Sequence, residues 1–377
     1  MLDFFRPRTD EMVTLLTALV EHESFSAEKA AVDRLGDFIT QTVQTLKPSS
    51  ISRIPLEAVG DIRIAKWNEG ASGKPIVVLM HMDTVWPLGT LAERPVSIAD
   101  GVFTAPGAVD MKGGIVVALS AIKGLIDQNE LPKRPVWLMF TGDEEIGSVA
   151  SEPHIRAAVK DAALVLVMEP PTADGALKTS RKGGAVYKIV TRGKAAHAGN
   201  NPEQGINAIL EMAYQIIAIS KLQELKGGLS VAVNVIHGGT ATNVIADYAE
   251  AEIDVRAFIQ YHLDNVHDEL VQLQPRLFGS KVEVTLHHKR GAMERDTQMD
   301  RTFRKCRQIA KDIGMAVDED SVGGMSDANI TASMGVPTLD GLGAGGGGMH
   351  ALDEHVMIRT LPEKAALLAA LIRDWKE

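Results

Sequence analysis

Cysteine is nearly absent: Cys306 is the single one in 377 residues. An internal disulfide framework is therefore excluded, and so is a zinc cluster built on thiolates. Cys306 falls in a helix-like stretch, where it is expected to be a small buried apolar residue. Long hydrophobic runs are also missing, and none approaches the length of a membrane span. No long basic run occurs and the formal net charge is -10, which argues against nucleic acid as a partner. The opening residues, Met1-Leu-Asp-Phe-Phe-Arg-Pro-Arg8, lack a long apolar core and a small-residue cleavage site. They carry no recognisable signal peptide, and a cytoplasmic protein is expected. The glycine tract at 341–348 is not followed by Gly-Lys-Ser/Thr, so it is not a phosphate-binding loop.

What remains is an ordinary globular composition, 45% hydrophobic and 23% charged. The length exceeds a typical single core, so two domains are expected. The stretch around which the chain is organised is Pro75-Ile-Val-Val-Leu-Met-His-Met-Asp-Thr84, an apolar run that stops at His81 and Asp83. A continuous apolar run between turn signals reads as a buried strand of an α/β sheet, and such sheets carry their chemistry beyond the carboxyl ends of the strands. Two other runs repeat the pattern. Residues 135–142 lead into Asp143-Glu144-Glu145, and residues 163–168 lead into Glu169. A single acidic strand end usually caps the next helix or faces water. Three convergent ones point to a shared site.

The rest of the chain sorts around these runs. Helical periodicity covers residues 10–20 and 27–46, with Ser24 and Ser26 as N-caps of the second helix. Strands are expected at 51–55 and 62–66. Residues 84–106, rich in Pro and Gly, read as loop and turn. Asp110 lies just before a small-residue helix that runs to about 127. From residue 185 the order changes to strand 185–191, helix 205–222, strands 230–236 and 249–258, helix 263–273 and strand 281–288. That is the βαββαβ, ferredoxin-like arrangement. The expected domains are 1–181 with 292–377, and an insertion at 182–291. Helices at 299–313, 326–333 and 362–375 and a short strand at 337–340 complete the α/β pattern, and the glycine tract turns the backbone to present His350.

The candidate ligands are thus His81, Asp110, Glu144, Glu145, Glu169 and His350. Imidazoles and carboxylates without thiolates suit zinc, with cobalt or manganese as substitutes. Two metals roughly 3.5–4 Å apart need a bridging carboxylate and about two further ligands each. His81, Glu169, Glu145 and His350, with Asp110 as the bridge, meet that count. One carboxylate of the Glu144–Glu145 pair is then left over to accept a proton. Asp83 is placed to accept the free ring N–H of His81 and orient it. Arg181, Lys182 and Arg290 flank the insertion. They read as solvated hinge residues or as selectors of an anionic substrate.

These motifs resemble the M20 family of dinuclear zinc metallopeptidases. The similarity is carried by His81-Met-Asp-Thr, Gly107-Ala-Val-Asp-Met-Lys-Gly-Gly, Thr141-Gly-Asp-Glu-Glu-Ile-Gly-Ser, Met168-Glu-Pro, Gly193-Lys-Ala-Ala-His-Ala-Gly, Asn243-Val-Ile, Asp254-Val-Arg and Gly348-Met-His350, from about residue 75 to the end. Within the family the glutamate carboxypeptidases are most similar, with acetylornithine deacetylases and succinyl-diaminopimelate desuccinylases as cousins. The resemblance implies a zinc-peptidase-like α/β catalytic domain with an inserted lid that also forms a homodimer. It implies His81 and Glu169 on one zinc, Glu145 and His350 on the other, Asp110 bridging, Glu144 as general base and a cis peptide after Asp110. It further implies that His197 and Asn243 contact the transition state and that Arg256 binds a substrate carboxylate. Residues 177–184 depart from the pattern with which glutamate carboxypeptidases hold the glutamate side chain. The expected reaction is hydrolysis of an amide in a small peptide or N-acyl amino acid. A phosphoesterase would need a phosphate cradle, which is absent, and a non-catalytic homologue would have lost a ligand or the base.

Overall fold

The three runs ending at the candidate ligands become adjacent strands, Val136–Thr141, Ile76–His81 and Leu164–Val167, in a computed structural model that describes residues 1–376. They pair in parallel, with Ile76–His81 in the centre and His81 opposite Thr141. All residues of the central strand are buried. Parallel strands are covered on both faces by their crossovers, which is why these runs are continuous rather than alternating. Parallel pairing also brings their carboxyl ends to one edge, so His81, the 143–145 turn and Glu169 leave the sheet together.

Thr338–Leu339 extends the sheet in parallel at one side. Ile62–Trp67 and then Ser50–Ile54 extend it antiparallel at the other. Helix Gly113–Asp127 packs on Thr360–Asp374 and Thr9–Val20, and their apolar faces join the main core. Its amino end lies hard against the strand that delivers Glu169. A Cβ on Gly114 would stand 2.3 Å from the Met168 carbonyl oxygen, so no larger residue fits there.

The chain divides into two compact units. One comprises Met1–Thr179, Arg295–Ser321 and Ser326–Glu377; the other comprises Ser180–Glu294 and Val322–Met325. The second unit holds a four-stranded antiparallel sheet in the order Ser230–Gly238, Tyr248–Ala257, Gly183–Arg192, Lys281–Arg290. Helices Ala208–Ser220 and Gln260–Val271 cover one face, giving βαββαβ. Burial alternates along Gly183–Arg192 and Tyr248–Ala257, as expected of strands with one packed face. Tyr187, Ile189, Ile253, Val255, Met212, Leu263 and Val266 form its core.

Local differences from the sequence reading are instructive. Residues 84–106 contain helix Thr90–Glu93 and strands Ser97–Ala99 and Val102–Thr104, which form a small sheet with His355–Met357 and Gly346–Gly347. These strands are too short to show periodicity, and their partners lie far away in sequence. Strands Leu177–Arg181 and Glu319–Val322 pair for the same reason without a local signal. Neither serine caps helix Lys29–Gln44, whose N-cap is Glu28 without a side-chain bond. Ser26 instead donates its hydroxyl to Asp83, and Ser24 Oγ is buried without a partner. No helix among the described residues is long and apolar enough to cross a membrane.

Candidate metal centre

His81 ends the central strand and is 2% exposed. Its Nδ1 lies 2.9 Å from the backbone carbonyl of Asp83, an acceptor, so Nδ1 carries the proton and Nε2 is turned to the site. The Asp83 carboxylate stands 3.5 Å from the same nitrogen and favours its proton, and it also holds the neighbouring turn. Oδ1 accepts from the Glu144 N–H at 3.2 Å, while Oδ2 accepts from the Glu145 N–H at 3.2 Å and from Ser26 Oγ at 2.7 Å. Asp83 therefore holds the acidic turn through its backbone.

Asp110 lies on the loop before helix Gly113–Asp127, and the Asp110–Met111 peptide is cis. Its two oxygens face different imidazoles. Oδ1 is 3.2 Å from His81 Nε2, and Oδ2 is 3.3 Å from His350 Nε2. Glu169 Oε1 stands 3.6 Å from His81 Nε2, and Glu145 Oε2 stands 3.1 Å from His350 Nε2. Two groups of ligand-bearing side chains result, His81–Asp110–Glu169 and Asp110–Glu145–His350, with Asp110 in both. Glu144 is in neither.

The glycine tract serves this geometry in two ways. Gly348 has φ of +70° just before His350, a turn glycine accepts without strain. Gly343 runs so close to the Glu169 strand end that a Cβ would stand 2.2 Å from the Met168 carbonyl oxygen. The 143–148 turn is held by a second buried carboxylate, Asp143, which accepts from the Ala150 and Ser151 amides at 2.9 and 3.1 Å. Ser148 also bonds Asp327.

The charges are unbalanced in a way that fits divalent ions. Three carboxylates close on two imidazoles. Although burial opposes a charged ring, the Asp110, Asp83 and Glu169 carboxylates raise His81 well above its ordinary value. Asp110 and Glu145 push His350 up to about 10. Burial raises Glu145, and its Oε1 is buried with no hydrogen-bond partner. Protons on the two rings stand where cations would satisfy the same oxygens. The donor set, oxygen and imidazole nitrogen with one shared carboxylate, suits a pair of divalent metals.

The remaining expected residues lie in the second unit. His197 is exposed, and its Nδ1 accepts from the Gly199 and Asn200 amides, both at 3.1 Å. Its loop runs beside that of Asn243, whose carbonyl accepts from the Ala198 amide at 2.9 Å. Arg256 holds Asp254 with Nε and Nη2 at 2.8–3.1 Å, so its guanidinium is oriented by its own strand. Arg181 and Arg290 are 3% and 4% exposed, which corrects their reading as solvated hinge residues. Arg181 Nη1 donates to the Gly324 carbonyl at 3.1 Å. In the strand register Arg256 and Arg290 both lie opposite Gly184, one on each side.

Residues 77–374 match the family model described as "Peptidase family M20/M25/M40". The chain belongs to this family. It is 29% identical over 379 aligned positions to carboxypeptidase G2 of Pseudomonas sp. (strain RS-16), covering 98% of this chain and 91% of that protein. It is 24% identical over 326 positions to a succinyl-diaminopimelate desuccinylase of Xanthomonas campestris pv. campestris, covering 81% and 85%. The fold matches the crystal structure of aminopeptidase PepT from Bacillus cereus with a TM-score of 0.78 at 23% identity, covering 97% and 98% of the two chains. It also matches a putative aminohydrolase from methicillin-resistant Staphylococcus aureus with a TM-score of 0.80 at 16% identity, covering 100% and 99%. As an M20-family hydrolase with a dinuclear metal-binding site, the protein acts on amide bonds of small peptide or amino-acid substrates.

Several participants escaped the sequence reading. Ser26, Trp86, Lys112 and Glu354 are polar or aromatic side chains placed against the site. Burial pulls Lys112 down to about 8, and its Nζ donates to the His22 carbonyl at 2.9 Å. Lys112 lies within the 107–114 motif but had no role assigned, and Glu354 had only a faint signal, an acidic residue shortly after His350, which alone reads as a surface residue.

Proposed function

We propose that this protein is a zinc metallo-carboxypeptidase that releases a C-terminal glutamate-type amino acid from a small peptide or acyl conjugate. The observation that carries the reading is Asp110, whose two oxygens face His81 and His350 and so tie two ligand clusters into one centre. The carboxypeptidase relative, matched over 98% of this chain, supports the choice of substrate class.

His81, Asp110 and Glu169 would hold one ion, and Asp110, Glu145 and His350 the other. Bound there, two divalent ions supply an acidified water and polarise the scissile carbonyl. Glu144, outside both clusters and on the turn pinned by Asp83, takes the proton of the attacking water and hands it to the leaving amine. The side chain of His197 and that of Asn243 donate to the oxyanion. Arg256, its fork set by Asp254, binds the substrate carboxylate, with Arg290 and Arg181 adding positive charge in the same unit.

A homodimer belongs to this reading. Helix Ala208–Ser220 exposes Ile209, Leu210, Tyr214 and Ile217, and edge strand Ser230–Gly238 exposes Val235 and Ile236. An apolar helix face beside an unpaired strand edge suits pairing with a second copy.

A release assay across folate-type glutamate conjugates, dipeptides and N-acyl amino acids, with zinc or cobalt added, tests the substrate class. Glutamate conjugates should be cleaved best. Preference for N-succinyl or N-acetyl amino acids would favour instead a deacylase, as the desuccinylase relative suggests. Arg256→Ala should lower kcat/KM by about 2–4 kcal/mol on the free acid and much less on its amide. Equal losses on both forms would assign the carboxylate to another cation.

A further inference from the structure

Glu354 is 0% exposed, and its carboxylate accepts four hydrogen bonds. Its Oε1 accepts from the Val109 and Asp110 amides at 3.0 and 3.2 Å. Its Oε2 accepts from the Gly107 amide at 2.8 Å and from Trp86 Nε1 at 2.6 Å. Four donors converge on two oxygens, and three of them are backbone groups of the loop that carries the bridging carboxylate. No ion pair joins Glu354 to a cation among the described residues. A carboxylate can accept all four bonds, whereas a glutamine amide would set N–H against N–H on one side.

The other end of Glu354 is tied to His350. The Glu354 amide donates to the Ala351 carbonyl at 3.1 Å, and the Ala351 amide donates to the Gly348 carbonyl at 2.8 Å. These bonds close the turn on which His350 sits with φ of +61° and a half-exposed side chain. Immediately after Glu354 the chain enters strand His355–Met357, paired with Val102–Thr104. Glu354 is thus fixed behind by a strand and reaches forward to the Asp110 backbone.

We propose that Glu354 is a positioning residue that locks the Asp110 loop to the His350 turn, and that the Asp110–Glu145–His350 cluster binds its divalent ion tightly because of that lock. In the His81–Asp110–Glu169 cluster only Asp110 depends on the lock, since His81 and Glu169 leave parallel strands, whereas in the other cluster both Asp110 and His350 depend on it. Loss of Glu354 therefore weakens one ion far more than the other. The proposal rests on the dinuclear reading of the site.

The test is calorimetric titration of Zn2+ into the metal-free full-length protein, which reads metal affinity apart from activity. Wild type should take up two ions. Glu354→Gln should keep one at close to wild-type affinity and bind the second about 10- to 100-fold more weakly, the usual effect of losing a group that orients a ligand. Glu354→Asp, which keeps the charge, should recover part of that loss. Trp86→Phe removes one donor of the four and should weaken the second ion by about threefold, a smaller effect in the same direction; it decides the matter if Glu354→Gln does not fold. Glu211→Gln is the control for a buried carboxylate that holds backbone amides elsewhere, those of Arg276 and Leu277, and should leave both affinities unchanged. Two ions bound by Glu354→Gln as tightly as by wild type, or both weakened equally, overturns the role of Glu354. Fewer than two ions on wild type overturns the dinuclear reading itself, and the proposal with it.

Discussion

His81 and Glu169 leave neighbouring parallel strands, while Glu145 sits on the turn that follows a third strand and His350 on the turn after the glycine tract. Asp110 is common to both clusters. On the strand side, position comes from the ladder: Ile76–His81 is hydrogen-bonded on both edges, and His81 is 2% exposed. On the turn side, buried carboxylates replace the ladder. Asp83 holds the amides of Glu144 and Glu145, Asp143 those of Ala150 and Ser151, and Glu354 those of Gly107, Val109 and Asp110. Side-chain acceptors thus do for irregular backbone what strand pairing does for a sheet, since buried amides must be satisfied either way. The turn side is consequently also the more open, with His350 half-exposed.

Removing what the clusters share breaks the comparison outright. Asp110→Ala takes a ligand from both ions, and kcat/KM should fall by about 10⁴ or more, with neither ion bound stoichiometrically in elemental analysis. Retention of two ions would mean that Asp110 does not bridge. The next largest effect separates the neighbours on the acidic turn. Glu144→Gln should keep both ions while kcat falls by about 10² to 10⁴, whereas Glu145→Gln should lose an ion. The reverse pattern would exchange their roles.

Replacing the two histidines contrasts the rigid and open sides directly. Each variant, His81→Ala and His350→Ala, should lose one ion. Thermal unfolding of the metal-free protein should show about 1–3 kcal/mol lost for His81→Ala, which leaves buried polar groups without a partner. A smaller loss, about 1 kcal/mol, is expected for His350→Ala, whose half-exposed ring lets water reach Asp110 and Glu145 once it is removed. Equal destabilisation would erase the distinction drawn between strand and turn.

An effect remote from both clusters sets the floor for acid titration of the metal. Asp61 is 3% exposed. Burial opposes its ionisation, but Lys29, Arg53 and the Leu56 amide hold its carboxyl at about 2. The folded value lies below the unfolded one, so this contribution is present above about pH 4 and lost as pH falls toward 2, about 2 kcal/mol in all. Denaturant unfolding of the metal-free protein should weaken over that window, and Asp61→Asn should flatten the slope. Metal release observed above it would then report the ligands rather than unfolding.

The candidate ligands were legible in the sequence because chemistry and period coincide there. A continuous apolar run ending in His81, or in Met168-Glu169, states both the strand and the group it delivers. The βαββαβ order was legible for the same reason, since its strands are long enough to alternate. Ser26 was misread as a helix cap, because local pattern shows which serines precede a helix but not that Asp83 lies across from one.

By itself, then, the sequence determined the α/β organisation, the residues able to ligate metal and the exclusion of a thiolate zinc cluster, all properties of residue type and short-range period. Only the tertiary structure decided which carboxylates enter the two candidate clusters and which hold backbone amides. Asp83, Asp143 and Glu354 are acidic residues near the motifs like any other until folding buries them against amides from distant segments. The distance between Glu354 and the Asp110 loop is 244 residues along the chain and 3.2 Å in space. No period or composition spans that separation, because the bond exists only once both segments are packed.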